Sequence, residues 1–174
     1  MEARAVLALE ANVGGVAREV VATDPFVLVT RPEHALATKK GAVTEAELRG
    51  EELLLLDEGH CFRDQALEAC GTARAREGEF RATSLSTLVQ MVAGGAGITL
   101  IPAIAVEAEA RRARLYVRPL AGRAARRTIA VIWRKGSALE TALREIAAVL
   151  RAAYPAAETR RVRTRALRGA QSRR

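Results

Sequence analysis

Short apolar runs alternate with helical patterns along this chain, and that alternation constrains the fold more than any other feature. The run "EELLLLD" (51–57) is continuously apolar, as a strand buried on both faces of a sheet would be. Other apolar runs of strand length lie at 3–9, 25–30, 79–84, 98–102, 113–120 and 126–134. Helical patterns lie at 58–70, 85–95 and 137–154. The alternation predicts an α/β fold with mostly parallel sheets.

The helical pattern after residue 84 has clear start and stop signals. Thr83 or Ser84 is a natural N-cap for "LSTLVQMVAGG". Gly94, Gly95 and Gly97 are expected to end this helix and to turn the chain into the next strand. Their spacing does not match a phosphate-binding loop.

Positive charge is concentrated at one end of the chain. The segment "TRRVRTRALRGAQSRR" (159–174) carries seven arginines and no acidic residue, whereas the other residues carry 21 basic and 20 acidic side chains. Blocks of like charge are typical of solvated tails. We therefore expect a nearly neutral folded part and a basic, disordered tail at 156–174, which can bind nucleic acid weakly.

The sequence predicts a cytoplasmic protein without membrane association. No apolar run approaches the roughly 20 residues of a membrane span, and the N-terminus lacks the layout of a signal peptide. A permanent structural disulfide is disfavoured in that compartment.

The stretch "EGHCFRDQALEAC" (58–70) contains both cysteines, Cys61 and Cys70. It reads as a turn leading into a helix, so Cys61 lies in the first turn, where backbone N–H groups and the helix dipole stabilise an anion. His60 and Arg63 add to a setting that favours a reactive thiolate. In an unbroken helix Cys70 lies about 13 Å further along the axis, too far for a disulfide. The spacing suggests a switch in which the helix melts before oxidised Cys61 condenses with Cys70.

Simpler interpretations of the two cysteines stay open on the residues alone. Cysteines commonly serve as small apolar core side chains. Zinc is disfavoured because two cysteines and two histidines without CxxC or HxxxH spacing are a poor ligand set. A cysteine hydrolase is weakly supported, since His60 adjoins Cys61 and His34 lies in a loop. We expect no metal and no cofactor.

Four blocks carry a resemblance to a known family: "LLLLDEGHCFRDQALEAC" (53–70), "FRATSLSTLVQMVAGGAGITLIPAIAV" (80–106), "FVLVTRPEHALA" (26–37) and "RRTIAVIWRKGS" (126–137). With them, residues 3–155 closely resemble the regulatory domain of the OxyR-like peroxide sensors among the LysR-type transcriptional regulators. The GHC-x-RDQ-A block with a second cysteine nine residues on is specific to that group. The second block is typical of LysR-type effector domains in general.

The resemblance implies the fold of periplasmic binding proteins, an α/β domain of two Rossmann-like subdomains. Residues 25–104 would form subdomain II with the redox cysteines, and residues 1–24 and 105–155 would be pieces of an incomplete subdomain I. The family's N-terminal winged helix-turn-helix and the first part of subdomain I are expected to lie outside this sequence. The basic tail (156–174) has no counterpart in the resemblance.

For the site, the resemblance implies that Cys61 is the peroxidatic cysteine and Cys70 the resolving one. The environment of the reactive thiol would consist of His60, Arg63, Asp64 and Arg127. Hydrogen peroxide would be the signal in an oxidative stress response, and a thiol reductant would reverse the disulfide. DNA would be bound through the missing helix-turn-helix of a homo-oligomer, a dimer or a tetramer.

Three functions are compatible with these residues. The first is the redox-sensing regulatory domain of such a regulator, which is not an enzyme. The second is a LysR-type domain whose cleft binds a small organic anion, with Thr83 and Ser84 as cleft candidates and incidental cysteines. The third is a thiol peroxidase, which needs a reductant site that the residues do not reveal. The pairing of the GHC-x-RDQ block with a second cysteine favours the first.

Overall fold

A computed structural model of the chain describes residues 6–8, 15–58, 61–70, 76–110, 113–122 and 126–154. The strands are β1 (Val6–Ala8), β2 (Val16–Thr30), β3 (Glu52–Leu56), β4 (Arg76–Ala82), β5 (Thr99–Pro102), β6 (Tyr116–Pro119) and β7 (Arg126–Arg134). The helices are α1 (Glu45–Leu48), α2 (Cys61–Cys70), α3 (Leu85–Gly94) and α4 (Glu140–Ala153), with a 3₁₀ turn at Ala103–Ala105. None of the helices described is long and apolar enough to cross a membrane.

The chain forms two compact units. Unit 1 contains the described residues up to Pro25 and from Arg126 onward, and unit 2 contains those between them. The long strand β2 passes from one unit to the other, so its first ten residues pair in unit 1 and its last residues pair in unit 2.

Unit 1 is an antiparallel sheet packed against α4. Strand β7 lies between β1 and the first part of β2. Helix α4 packs an apolar stripe against this sheet because its apolar residues recur at helical spacing. The buried residues of this core are Val21, Val131, Trp133, Leu143 and Ala147. Arg144 and Arg151 of α4 also reach Glu19 of β2, at 3.0 and 2.9 Å.

Unit 2 contains β3, which is buried on both faces. Leu53 and Leu55 belong to one core cluster, whereas Leu54 and Leu56 belong to another. Because neighbouring residues of a strand point to opposite faces, this division shows that apolar groups cover both sides of β3. The prediction made from "EELLLLD" is therefore confirmed.

Helix α3 has the ends that its sequence predicts. Ser84 is the N-cap, and its Oγ accepts a hydrogen bond from the Thr87 N–H at 3.1 Å. Gly95 closes the helix in the left-handed conformation, with φ 92°. At Gly97 φ is +154°, and a Cβ there would lie 2.5 Å from the carbonyl oxygen of Glu52. Only glycine permits this close approach of the chain to β3.

The expectation of mostly parallel sheets is wrong for the strands around β2. Strands β5, β6 and β7 all pair antiparallel with β2. Within the described part of the chain, parallel pairing is confined to β3 with β4 and to two isolated bridges. The physical reason is that a continuous apolar run reports burial of both faces, and a central antiparallel strand satisfies that burial equally well. Strand β2 also begins at Val16, earlier than the predicted residue 25. The sequence did not predict this start because charged side chains interrupt the apolar pattern over 16–24.

The boundary between the units differs from the sequence expectation. The described residues 105–110 and 113–122 lie in unit 2, whereas the family resemblance placed them with residues 1–24. Two contacts explain the difference. Strand β6 pairs with the end of β2, and Ala110 and Leu115 lie in a core cluster of unit 2.

Candidate functional site

Helix α2 has a cysteine at each end. It runs without a break from Cys61 to Cys70, so nine residues separate the two positions by about 13 Å along the axis. A disulfide needs Cα atoms within about 7 Å. The two cysteines are thus held apart by the helix itself, and bonding between them requires that α2 open.

Cys70 is a free, buried thiol. Cys70 is 3% exposed and lies in a core cluster with Ala66 and Ala69 of the same helix. Burial, and then the negative charge of Glu45, raise the pKa of the Cys70 thiol to about 11. The neutral thiol is therefore the form present at neutral pH, and it is both inaccessible and weakly nucleophilic while seated in the core.

The N-terminal part of α2 carries the residues expected around Cys61. Nη2 of Arg63 lies 2.7 Å from Oε2 of Glu77 on β4, and the Arg63 side chain is 14% exposed. The Nε atom of Arg63 is buried and has no hydrogen-bond partner among the residues that the structure describes. Asp64 is exposed in the first turn. His60 and the side chain of Cys61 lie outside the described residues, so their contacts with Arg63 stay a prediction.

Arg127 lies in unit 1. Its Nε atom is 2.9 Å from Oδ2 of Asp24, a carboxylate with no exposed surface. Burial raises the pKa of Tyr154 above its ordinary value, and a hydrogen bond to Asp24 contributes to that shift. Arg127 is thus one member of a polar group around the buried Asp24. The role near the reactive thiol that the family resemblance implied for Arg127 stays a prediction.

The two cleft candidates differ in their structural roles. Ser84 is engaged as the N-cap of α3, and its Oγ also lies 2.9 Å from Oγ1 of Thr87. Thr83 is exposed immediately before it. Binding of an organic anion by either residue stays a prediction.

Four polar residues that the sequence did not single out have defined roles in the structure. They are Asp24, Glu77, Arg118 and Tyr154. Arg118 alone had a readable signal, because it interrupts the apolar strand pattern "LYVRPL" at a position that the strand buries. Among the residues described, no group of three or more side chains could hold a metal ion.

Comparison with known proteins places this geometry in a family. A family model described as the LysR substrate binding domain matches residues 5–168, which includes most of the basic segment. The chain is 43% identical over 148 residues to the probable hydrogen peroxide-inducible genes activator of Mycobacterium avium, covering 84% of this chain and 47% of that protein. It is 44% identical over 130 residues to the DNA-binding transcriptional dual regulator OxyR of Escherichia coli K12, covering 74% of this chain and 42% of the relative.

Solved structures agree with these sequence relationships. The reduced form of the regulatory domain of OxyR2 from Vibrio vulnificus superimposes with a TM-score of 0.70 at 32% identity, covering 85% of this chain and 68% of that one. The chain spans less than half the length of the two regulators named above. Its two-unit α/β architecture, with α2 between β3 and β4, accords with this likeness. The chain belongs to the LysR substrate-binding domain family.

Proposed function

We propose that this chain is the redox-sensing regulatory portion of a LysR-type transcription regulator that responds to hydrogen peroxide. The observation that carries the proposal is the arrangement of α2, an unbroken helix with Cys61 at its first position and Cys70 buried at its last. Relatives above 40% identity are named as hydrogen peroxide-inducible genes activators. The family assignment and the helix geometry thus point to the same chemistry.

The proposed reaction proceeds in two balanced steps. The thiolate of Cys61 attacks one oxygen of hydrogen peroxide, the O–O bond breaks, and the leaving hydroxide takes up a proton to form water. The resulting sulfenic acid of Cys61 reacts with Cys70, a second water leaves, and the S–S bond forms. Two thiols and one hydrogen peroxide therefore give one disulfide and two waters. A thiol or dithiol reductant returns the two electrons by exchange.

The second step couples chemistry to structure. Because the Cα atoms must approach within about 7 Å, α2 cannot persist in the oxidised form. Phe62 of α2 packs against Phe26 of β2, with ring centroids 5.6 Å apart, and this contact depends on where α2 lies. Oxidation therefore changes the surface of unit 2, which is how we expect the signal to reach a homo-oligomer and its DNA. A reducing cytoplasm suits such a switch, since its resting state is the dithiol.

The test is a mild peroxide pulse followed by mass spectrometry. We expect a loss of two hydrogens with an intramolecular Cys61–Cys70 bond, and a trapped sulfenic acid on Cys61 in the Cys70→Ser variant. Without reductant, each chain should consume one hydrogen peroxide. In excess thiol reductant, a sensor should continue to consume peroxide only slowly, whereas a thiol peroxidase should turn over rapidly. If both thiols stay free in excess peroxide, the proposal fails for this chain, and an effector domain for small organic anions becomes the better description.

A further inference from the structure

Cys70 shares its core cluster with a segment that has little regular structure. The core cluster around Cys70 includes Leu36, Val43 and Leu48, which come from the segment 31–48. This segment contains one short helix, α1, and one isolated bridge at Val43, and is otherwise irregular, with turns and bends. The remaining members of the cluster come mainly from strands and from α2, whose ladders and helical bonds support them. Segment 31–48 must therefore be supported by contacts of another kind.

Strand β6 supplies those contacts. The N–H of Val43 donates to the carbonyl of Pro119 at 2.8 Å, and the N–H of Ala121 donates to the carbonyl of Val43 at 2.7 Å. The guanidinium of Arg118 donates to the carbonyl of Ala37 at 2.9 Å, to that of Leu36 at 3.4 Å, and to that of Gly41. One side chain thus satisfies three backbone acceptors within six residues of the segment.

The burial of Arg118 shows that this arrangement is not a surface contact. The residue is 2% exposed, and no carboxylate in the described part of the chain forms an ion pair with it. A buried cation is costly unless its donors are engaged. Here backbone carbonyls take the place of a carboxylate at both Nη atoms, whereas Nε has no hydrogen-bond partner among the described residues. Loss of the guanidinium would leave the carbonyls of Leu36 and Ala37 without this donor in a desolvated site. The conformation of this segment, which shares a core cluster with Cys70, therefore depends on Arg118.

We propose that Arg118 is a positioning residue for the resolving thiol: by binding the carbonyls of Leu36, Ala37 and Gly41, it keeps the pocket of Cys70 closed and so limits how often Cys70 becomes available to Cys61. The inference rests on the proposed function, because it assigns a kinetic role to a step of that switch. The elevated pKa of Cys70 agrees with it, since a thiol that is protonated in its pocket reacts only after leaving it.

The first test measures the opening of the pocket without using peroxide. In a Cys61→Ser background Cys70 is the remaining thiol, and its alkylation rate is followed by mass spectrometry at pH 8 over a series of urea concentrations below the unfolding transition. Arg118→Met keeps the aliphatic stem and removes the donors. We expect it to accelerate alkylation at least about tenfold at zero urea, with little dependence on urea, because the opening is local.

A matched control separates this local effect from lost stability. Val89→Ala weakens the other core cluster of unit 2. The alkylation rates of this control and of Arg118→Met are compared at urea concentrations that lie equally far below the unfolding midpoint of each variant. We expect the control to accelerate alkylation only through a steeply urea-dependent route. Equal rates for the two variants at matched stability would overturn the proposal. If Arg118→Met does not fold, Arg118→Lys replaces it, with a smaller acceleration in the same direction.

The second test returns to the chain with both cysteines. After a peroxide pulse, Arg118→Met should convert the Cys61 sulfenic acid to the disulfide faster than the unaltered chain. The rate of sulfenic acid formation, trapped in the Cys70→Ser background, should be unchanged by Arg118→Met. An unchanged rate of disulfide formation contradicts the role of Arg118. Absence of any disulfide in both chains contradicts the proposed function instead, while the alkylation test still decides the role of Arg118.

Discussion

Asp24 and Arg127 lie opposite each other in the β2–β7 ladder and form an ion pair, with Nε of Arg127 2.9 Å from Oδ2 of Asp24. The carboxylate has no exposed surface, whereas the Arg127 side chain is 18% exposed. Tyr154, which follows α4, hydrogen-bonds to the same carboxylate. One buried acid therefore joins two strands and the end of a helix in unit 1.

We predict that Asp24→Asn lowers the free energy of unfolding by about 3 kcal/mol, because removing one partner leaves the other charge poorly compensated. Tyr154→Phe should cost less, about 1.5 kcal/mol, since it removes one hydrogen bond to a charged group. Urea denaturation measures both. Glu19→Gln, which breaks exposed ion pairs with α4, is the control and should cost less than about 1 kcal/mol. A loss for Asp24→Asn no larger than that of the control would contradict the buried pair.

Arg63 and Glu77 should act in opposite directions on the reactivity of Cys61. Arg63→Ala removes positive charge near the start of α2. We expect alkylation of Cys61 at neutral pH to slow about threefold, because partly exposed charges interact weakly. Glu77→Gln releases Arg63 from its ion pair, and alkylation should become faster. Peptide mass spectrometry assigns the label to Cys61. Unchanged rates in both variants would show that the helix N-terminus acts without Arg63.

Stability should fall at high pH because of Cys70. Its pKa is raised to about 11 in the folded chain from 9.0, so the folded state holds this proton more tightly than the unfolded state. The resulting stabilisation is complete below pH 9 and is lost as the pH rises through about 11. Urea midpoints at pH 7, 9 and 10.5 test this. The loss should be smaller in Cys70→Val, which retains every other titrating group; identical pH profiles would show that Cys70 does not contribute.

Ser84→Ala should cost about 1 kcal/mol of stability, because it removes the N-cap of α3. Thr83→Ala, one residue earlier and exposed, should change stability by less than about 0.5 kcal/mol. Thermal or urea unfolding distinguishes the two. Equal losses would mean that the cap contributes nothing measurable to α3.

Binding to DNA by this chain should be driven by phosphate contacts of the basic segment. We expect weak binding to any duplex, with a steep dependence on salt, and loss of most of it when residues 159–174 are deleted. Fluorescence anisotropy over a salt series measures both effects. The deleted form should not distinguish one duplex from a scrambled one at physiological salt. Discrimination by the deleted form would reveal a sequence-reading surface in the folded part.

Local patterns in the sequence determined several elements of this protein. The run of four leucines in β3 predicted burial of both faces. The cap signal at Thr83 or Ser84 and the glycines Gly94, Gly95 and Gly97 predicted the two ends of α3, which the structure assigns to Ser84 and Gly95. The stretch 58–70 predicted a helix, and the spacing of Cys61 and Cys70 predicted that an unbroken helix would keep them apart. These predictions are correct because each depends on residues within about ten positions, where backbone geometry converts spacing directly into direction.

Contacts between distant residues were decided only by the tertiary structure. Asp24 meets Arg127 across 103 positions, and Arg118 reaches Ala37 across 81. Arg118 interrupts an apolar strand pattern, but neither pairing has a local signature. A charged residue in a strand pattern looks the same whether its partner is water, a carboxylate or a backbone carbonyl. The antiparallel pairing of β2 was hidden for a similar reason, because an apolar run encodes burial but not the direction of its neighbours. The sequence thus determined which apolar runs are buried and where α2 carries its cysteines, whereas packing determined the partners of the buried residues Asp24 and Arg118.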